Sequence, residues 1–392
     1  MKKKILIVTF GMEPGGIERS LLGLLDETDY DKYEIDLFLF TVGGAFLPLV
    51  NENVRILPQN KACAAMTLPI KQAVFSAPGV AAERTLSKIK VRKKYGFSDA
   101  ASFALLSEYH RSCLKFFPKL KKEYDLVIAY CWPHDFAAKN VKAKKKLALI
   151  HTDYGAAAMD FEKDEKLWSV FDGIAAVSDD VGKAFADIYP SLKDRIFTAE
   201  NVLPVRLIEK QASEKPQIGL RKRDEKIILS VGRLTYQKAF DEAAESAAIM
   251  KKDGFDFKWY IIGFGPDEEL IKSKISEYGV EDRFILLGKT DNPYPYYKKC
   301  DIYVQPSRYE GKSVTVREAQ HLGCPVLITR YPTASSQVED GTDGVICDMG
   351  PENVAKALEN MIKDETLCKK LSENCLKRDY SNSSQVPLLL DF

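Results

Sequence analysis

The chain holds little with which to bind a metal. Four histidines are spread over 392 residues, and eight cysteines are scattered without a CxxC pair. No histidine stands at ligand spacing, so a zinc site is not expected. Cys131, Cys324 and Cys347 sit inside apolar runs, as reduced core thiols of a cytosolic protein do. Charge of one sign is also missing. The net value of +1 removes any global pull toward nucleic acid or an acidic partner. No apolar run approaches the length of about 18 residues that reads as a membrane span. The N-terminal MKKKILIVTFGME has the basic start of a signal peptide, but its apolar stretch is seven residues and runs into a Gly-Gly loop. A cytoplasmic location is expected. Internal repeats, low-complexity tracts and a GxGxxG motif are absent as well.

What is present is an alternation of short β-branched apolar runs with helical stretches, the pattern of parallel sheets covered on both faces. A chain of this length suits two domains. The first half predicts strands at 4–10, 34–40, 54–57, 125–130, 146–151, 173–178 and 195–200. The polar stretch Val205–Lys226 then reads as a linker. The second half predicts strands at 227–231, 258–262, 283–288, 301–305, 325–329 and 344–347. The expected organisation is a domain over 1–204, a linker over 205–226 and a second domain over 227–392. Two doubly wound sheets in tandem leave a cleft, and such sheets bind ligands at the carboxyl ends of their strands.

The loops at those strand ends carry the candidate chemistry. Gly15 and Gly16 follow the first strand, where backbone N–H groups can approach an anion at a helix start, or simply make a tight turn. In ILSVGRLTYQKAF, Gly232 is followed by Arg233 and Lys238 in an R-x4-K spacing. Two cations at a strand end suit a diphosphate, which Arg meets as a planar fork and Lys as a point charge. Two solvated surface cations are the plain alternative. Gly263 and Gly265 in YIIGFGPDEELI read as a close-packing turn before an acid-capped helix.

In RYEGKSVTVREAQHLGCPVLIT, Glu310 and Glu318 have seven residues between them. Residues 313–322 read as a helix closed by Gly323, with Glu310 in the loop ahead and Glu318 inside. Both acids can face one ligand, with the Gly311–Ser313 backbone facing its anionic part. A carboxylate accepts two hydroxyl hydrogen bonds, which fits a ribose or a hexose.

Gly15–Gly16, GRLTYQK, GFGP and EGKSVTVRE, in this order, resemble the family 4 retaining glycosyltransferases of the GT-B fold. The resemblance spans residues 4 to about 376. NPYPYYKKCDIYVQPSRYEGKSVTVREA is similar to enzymes of bacterial capsule, O-antigen and exopolysaccharide synthesis. It implies two Rossmann-like domains, the first for the acceptor and the second for a nucleotide sugar. It implies that Arg233 and Lys238 hold the diphosphate, that Glu310 bonds the donor sugar and that Glu318 bonds the ribose. The Gly15–Gly16 loop would close on the phosphates, and His151 would stand beside the sugar, or act as an ordinary strand-end histidine. Asp153 is a weaker neighbour. Asn201 matches the family's Asn-Gly turn, but Val202 replaces the Gly. Two departures stand out. Lys312 occupies a position where the family has small residues. The C-terminal KRDYSNSSQVPLLLDF leaves the family's closing helix short or missing.

The implied reaction transfers a hexosyl unit from a nucleotide sugar, UDP-linked, with retention of configuration and no protein nucleophile. No DxD metal motif stands in a suitable loop. Ser178–Asp180 reads as a helix cap, so no cofactor is expected and transfer should be metal-independent. The implied acceptor is lipid-linked or a saccharide. Arg84–Lys94 carries six basic residues and no acid, and Arg111–Lys122 interleaves cations with Leu and Phe. These read either as a seat on an anionic inner membrane or as ordinary solvated helices. A nucleotide-sugar epimerase on the same fold and a non-catalytic nucleotide-sugar binder are the rival readings.

Overall fold

A computed structural model describes residues 2–96, 99–131, 134–151, 154, 161–216 and 225–392. The chain divides into two units, Met1–Val202 with Asn382–Phe392, and Leu203–Ser381.

The first unit holds β1 (Lys3–Thr9), β2 (Tyr33–Leu39), β3 (Arg55–Ile56), β4 (Glu123–Ala129), β5 (Lys142–Ile150), β6 (Gly173–Ala176) and β7 (Ile196–Thr198). They form one sheet in the order β3-β2-β1-β4-β5-β6-β7, with every ladder parallel. The second unit repeats the plan with β8 (Lys226–Val231), β9 (Phe257–Ile262), β10 (Phe284–Gly288), β11 (Ile302–Gln305), β12 (Val326–Thr329) and β13 (Val345–Cys347), ordered β10-β9-β8-β11-β12-β13. Each expected strand is found, displaced by a few residues. Parallel strands buried on both faces must be apolar along their length, which is why these runs were legible. In β8 the pleat sends Leu229 and Val231 into one core cluster with Val316 and Ala319, while Ile228 joins Phe240, Ala244 and Trp259 on the other face. In the first unit Ser178 caps its helix, with the hydroxyl accepting from the Val181 N–H, as the sequence implied.

One expectation needs correction, and another is decided between its alternatives. The helix Val205–Ala212 occupies the start of the stretch expected as a linker. Val205, Ile208 and Ala212 line one stripe of it, and that stripe packs in the second unit's core. Residues 217–224 of that stretch lie outside the described residues. At the C-terminus, where the closing helix was expected to be short or missing, it is present and short, six residues long. The helix Gln385–Leu390 belongs to the first unit, where Leu389 and Leu390 are buried. Leu390 accepts a hydrogen bond from Lys3 at 2.8 Å, Asp391 accepts one from the Tyr33 hydroxyl at 2.6 Å, and Phe392 stacks on Phe197.

Candidate functional site

Strand order reverses between β8 and β11, and at such a switch point the two flanking loops diverge and open a crevice. The loops there are Gly232–Ala239 after β8 and Pro306–Ser313 after β11. Both were singled out from sequence, and the fold makes them neighbours. The loop after β8 also packs against the one after β9. A Cβ at Gly263 or Gly265 would collide with the carbonyl of Gly232 or Leu234. Hydrogen bonds from Gly232 to Ile262 and from Leu234 to Phe264 bind these loops together. Gly263 and Gly265 therefore make the expected close-packing turn.

The loops after β8 and β11 are joined by side chains. The Arg308 N–H donates to the Gln237 carbonyl at 2.8 Å. The Arg308 guanidinium lies 4.1 Å from the Tyr236 ring centroid and donates to Asp241 and Glu242 at 2.8 and 2.7 Å. This fork holds the turn Tyr236–Lys238 over the loop that carries Glu310. Ala239 closes the turn at φ 53°, in the left-handed region, which costs a non-glycine residue of order 1–3 kcal/mol. Lys238, whose stem runs over Gly232, reaches Glu310 with Nζ 2.5 Å from Oε1, and both side chains are nearly buried at 14% and 7% exposure. Glu310 also accepts from Ser307 at 2.6 Å and from Gln237 at 3.1 Å. Behind Ser307 a buried chain continues through Gln305, which donates to Ser307 at 2.9 Å and accepts from Tyr303 at 2.8 Å. Arg233 is exposed and pairs with no acid among the described residues.

Glu318 is placed differently from the expectation. Both acids do not share one open face. Glu318 is fully buried, and it accepts from the hydroxyls of Tyr294 at 2.9 Å and Tyr297 at 3.3 Å. Tyr294 stacks on Tyr297, and Tyr297 on Tyr303. The helix Val314–His321 turns its fifth residue inward, and the aromatic run NPYPYY supplies donors that let a carboxylate be buried there. The Ser313 N–H, expected to face an anion, instead donates to the Gln337 side chain at 3.0 Å. Gly311 and Lys312 are half-buried beside it. Arg308, Gln237, Ser307 and Gln337 were not singled out from sequence, because nothing in one chain reveals that distant loops share a hydrogen bond. Arg308 alone left a trace, as the cation two residues ahead of Glu310.

In the first unit, the loop after β1 leads into the helix Gly16–Asp26 with Gly15 as its N-cap. The Glu18 side chain folds back over Gly15, where a Cβ would meet its carboxylate. Burial pushes the Glu18 carboxyl up to about 7. The anion expected at this loop therefore meets a carboxyl already there. Ser20 shares a 2.7 Å hydrogen bond with the Tyr130 hydroxyl, and the His151 ring bonds the Tyr130 carbonyl at 2.7 Å. His151 has Asn201 as a polar neighbour, and burial lowers its pKa to about 4, so the ring is neutral at pH 7. Asp153 lies outside the described residues. No group of three or more metal-ligating side chains occurs among the described residues, and no described helix is long and apolar enough to cross a membrane.

The chain is 31% identical over 149 residues to a poly(glycerol-phosphate) alpha-glucosyltransferase of Bacillus subtilis, a match covering 38% of this chain and 22% of that protein. It is 31% identical over 147 residues to an N-acetylgalactosamine-N,N'-diacetylbacillosaminyl-diphospho-undecaprenol 4-alpha-N-acetylgalactosaminyltransferase of Campylobacter jejuni, covering 37% of this chain and 40% of that protein. The chain spans less than half the length of the first curated relatives it matches. The Anabaena protein Alr3699/HepE, crystallised in complex with UDP-glucose, superposes with a TM-score of 0.70 at 16% identity over 99% of both chains. The fold is GT-B, two Rossmann-like units of seven and six parallel strands. Residues 211–378, which carry Lys238, Glu310 and Glu318, match the family of glycosyl transferases group 1.

Proposed function

We propose that the chain is a retaining glycosyltransferase that moves a hexosyl unit from a nucleotide sugar, UDP-linked, to a lipid-linked or saccharide acceptor in surface polysaccharide synthesis. The observation that carries this reading is the Lys238–Glu310 pair, held between the two loops of the second unit's switch point. A diphosphate arriving there competes with Glu310 for Lys238, and Arg233 is exposed to join it. The exchange frees Glu310 to accept hydrogen bonds from the sugar. As the bond from the anomeric carbon to the diphosphate breaks, negative charge grows on the leaving oxygens. Fixed cations stabilise that charge, each by several kcal/mol in a dry site. The acceptor oxygen bonds to the same face of the anomeric carbon, and its proton passes to the departing phosphate. Glu318 enters by fixing the tyrosine wall behind the site, and it reaches ribose hydroxyls only if Tyr294 and Tyr297 turn away. His151 offers a neutral hydrogen bond and no charge. The names of the matched relatives, which act in glucosyl and N-acetylgalactosaminyl transfer, support the reaction class. The UDP-glucose complex of the Anabaena protein supports the donor class.

The test is incubation with a panel of UDP-sugars and a bacterial lipid extract, followed by NMR of the product. A new glycosidic bond with the donor's anomeric configuration is expected. Inverted linkage refutes retention, and an epimerised UDP-sugar without acceptor makes the chain an isomerase.

A further inference from the structure

The helix Pro78–Tyr95 in the first unit buries Val80, Ala81, Arg84, Ser87 and Val91. At 100° per residue, the opposite face carries Leu86, Ile89 and Lys93. Leu86 and Ile89 are 60% and 61% exposed, and Phe75 on the preceding helix Ile70–Ser76 is 90% exposed. Bulky apolar side chains directed outward on two successive helices have no packing function within this unit. The cations around them are Lys71, Arg92, Lys93 and Lys94, all exposed, and Glu83 is the only acid between residues 70 and 95.

Several other basic residues of the two stretches are held by the fold, Lys90 among them through Glu108. Arg84 is buried and donates to the carbonyls of Ala65 and Leu68. Arg111 pairs with Asp164, Lys115 with Glu83, and Lys122 with Glu34 and Asp36. Phe117 is core. Most of the stretch Arg111–Lys122 is thus tied into the fold, with Phe116, Lys119 and Lys121 exposed, and the patch in which outward apolar side chains and cations alternate lies on the helices at 70–76 and 78–95.

We infer that the first unit docks on an anionic lipid bilayer through this face, with Phe75, Leu86 and Ile89 entering the interface and the flanking cations meeting lipid phosphates. The chemistry selects this occupant. A second copy of the same face would set like charges opposite one another. A nucleic acid would meet the cations but gain nothing from Leu86 and Ile89. A bilayer with anionic headgroups takes both, since apolar side chains reach its acyl boundary while lysines and arginines stay at the phosphate level. The inference rests on this surface alone. It deepens the proposed function by favouring an acceptor that is itself held in lipid.

The test is co-sedimentation of the full chain, without nucleotide, with phosphatidylcholine vesicles that contain or lack phosphatidylglycerol. Binding is expected only with phosphatidylglycerol, weakening as salt rises. Changing Lys71, Arg92, Lys93 and Lys94 together to Gln should lower affinity at least about tenfold, since each cation contributes near an anionic surface. Changing Phe75, Leu86 and Ile89 together to Ser should remove the part of binding that survives salt. A Phe75→Trp variant should shift its emission to the blue on phosphatidylglycerol vesicles and not with heparin. Equal sedimentation with pure phosphatidylcholine, indifference to both sets of changes, or an unshifted emission spectrum of the Phe75→Trp variant overturns the inference. Calorimetry with UDP on each variant keeps a docking failure separate from a failure of the nucleotide reading.

Discussion

Lys238 and Glu310 are each other's partner, at 2.5 Å, between the loops that follow β8 and β11. A cation expected for a phosphate and an acid expected for a sugar thus form one device. Removing either charge exposes the other. Lys238→Met should destabilise the second unit by about 1–3 kcal/mol, below the value for a fully buried broken pair, because Ser307 and Gln237 still bond Glu310. Lys238→Met with Glu310→Gln should cost less than the sum of the two single changes. Urea unfolding of the four proteins measures this, and strict additivity would refute the coupling. UDP binding should fall with Lys238→Met and persist with Glu310→Gln.

Glu318 tests a different kind of burial. Glu318→Ala leaves two tyrosine hydroxyls without their charged acceptor, so a loss of about 2–4 kcal/mol in stability is expected. Tyr294→Phe with Tyr297→Phe should be as damaging, because it strands a buried carboxylate. Thermal unfolding reads both. Unchanged stability together with lost UDP affinity would return Glu318 to direct ribose contact.

Acid should weaken the first unit through its histidines. Burial lowers the pKa of His110 to about 3 and of His134 and His151 to about 4, against 6.5 for a solvated ring. The folded state therefore favours the neutral rings. Their contribution is complete above pH 6.5 and is lost as pH falls from 6.5 toward 4, by about 1.4 kcal/mol per pH unit for each ring. His110 lies edge-on to Phe10 and Phe40, so His110→Phe should flatten the acid slope of the melting temperature. An identical slope would place the acid sensitivity elsewhere.

Chelation separates cation-only catalysis from metal-assisted catalysis. Lys238 and Arg233 are proposed to carry the diphosphate charge, so transfer assayed with EDTA should keep its rate. Activity lost to EDTA and restored by Mg²⁺ or Mn²⁺ would overturn that account.

The strands were readable because a parallel sheet covered on both faces favours nearly continuous apolar runs, as in IILSV and VLIT, each with a single hydroxyl residue. Glu310 and Lys238 were readable as types. Their pairing was not, since it depends on β8 and β11 becoming neighbours across the switch point. The burial of Glu318 was hidden for a related reason. Its tyrosine partners lie 24 and 21 residues earlier in the chain, too far to leave a local mark. Only the stacking of Tyr294 and Tyr297 beneath the helix makes this carboxylate a core residue. The C-terminal helix was left as short or missing because VPLLL is too short to show a helical period, while its leucines find their place only when packed into the first unit.

That returning segment also sets an order of assembly. The second unit is one contiguous segment, Leu203–Ser381. The first unit is split, and its last portion, 382–392, is made after the whole of the second. Asn382 then ties back to Glu200 and Asn201, beside the point where Leu203 bonds Ser381. On a ribosome the first sheet emerges first, yet it waits with Tyr33, Phe197 and Lys3 uncovered until the second unit is complete. Synthesis order and completion order run in opposite directions, and the interval between them is when this chain is most open to chaperones and proteases.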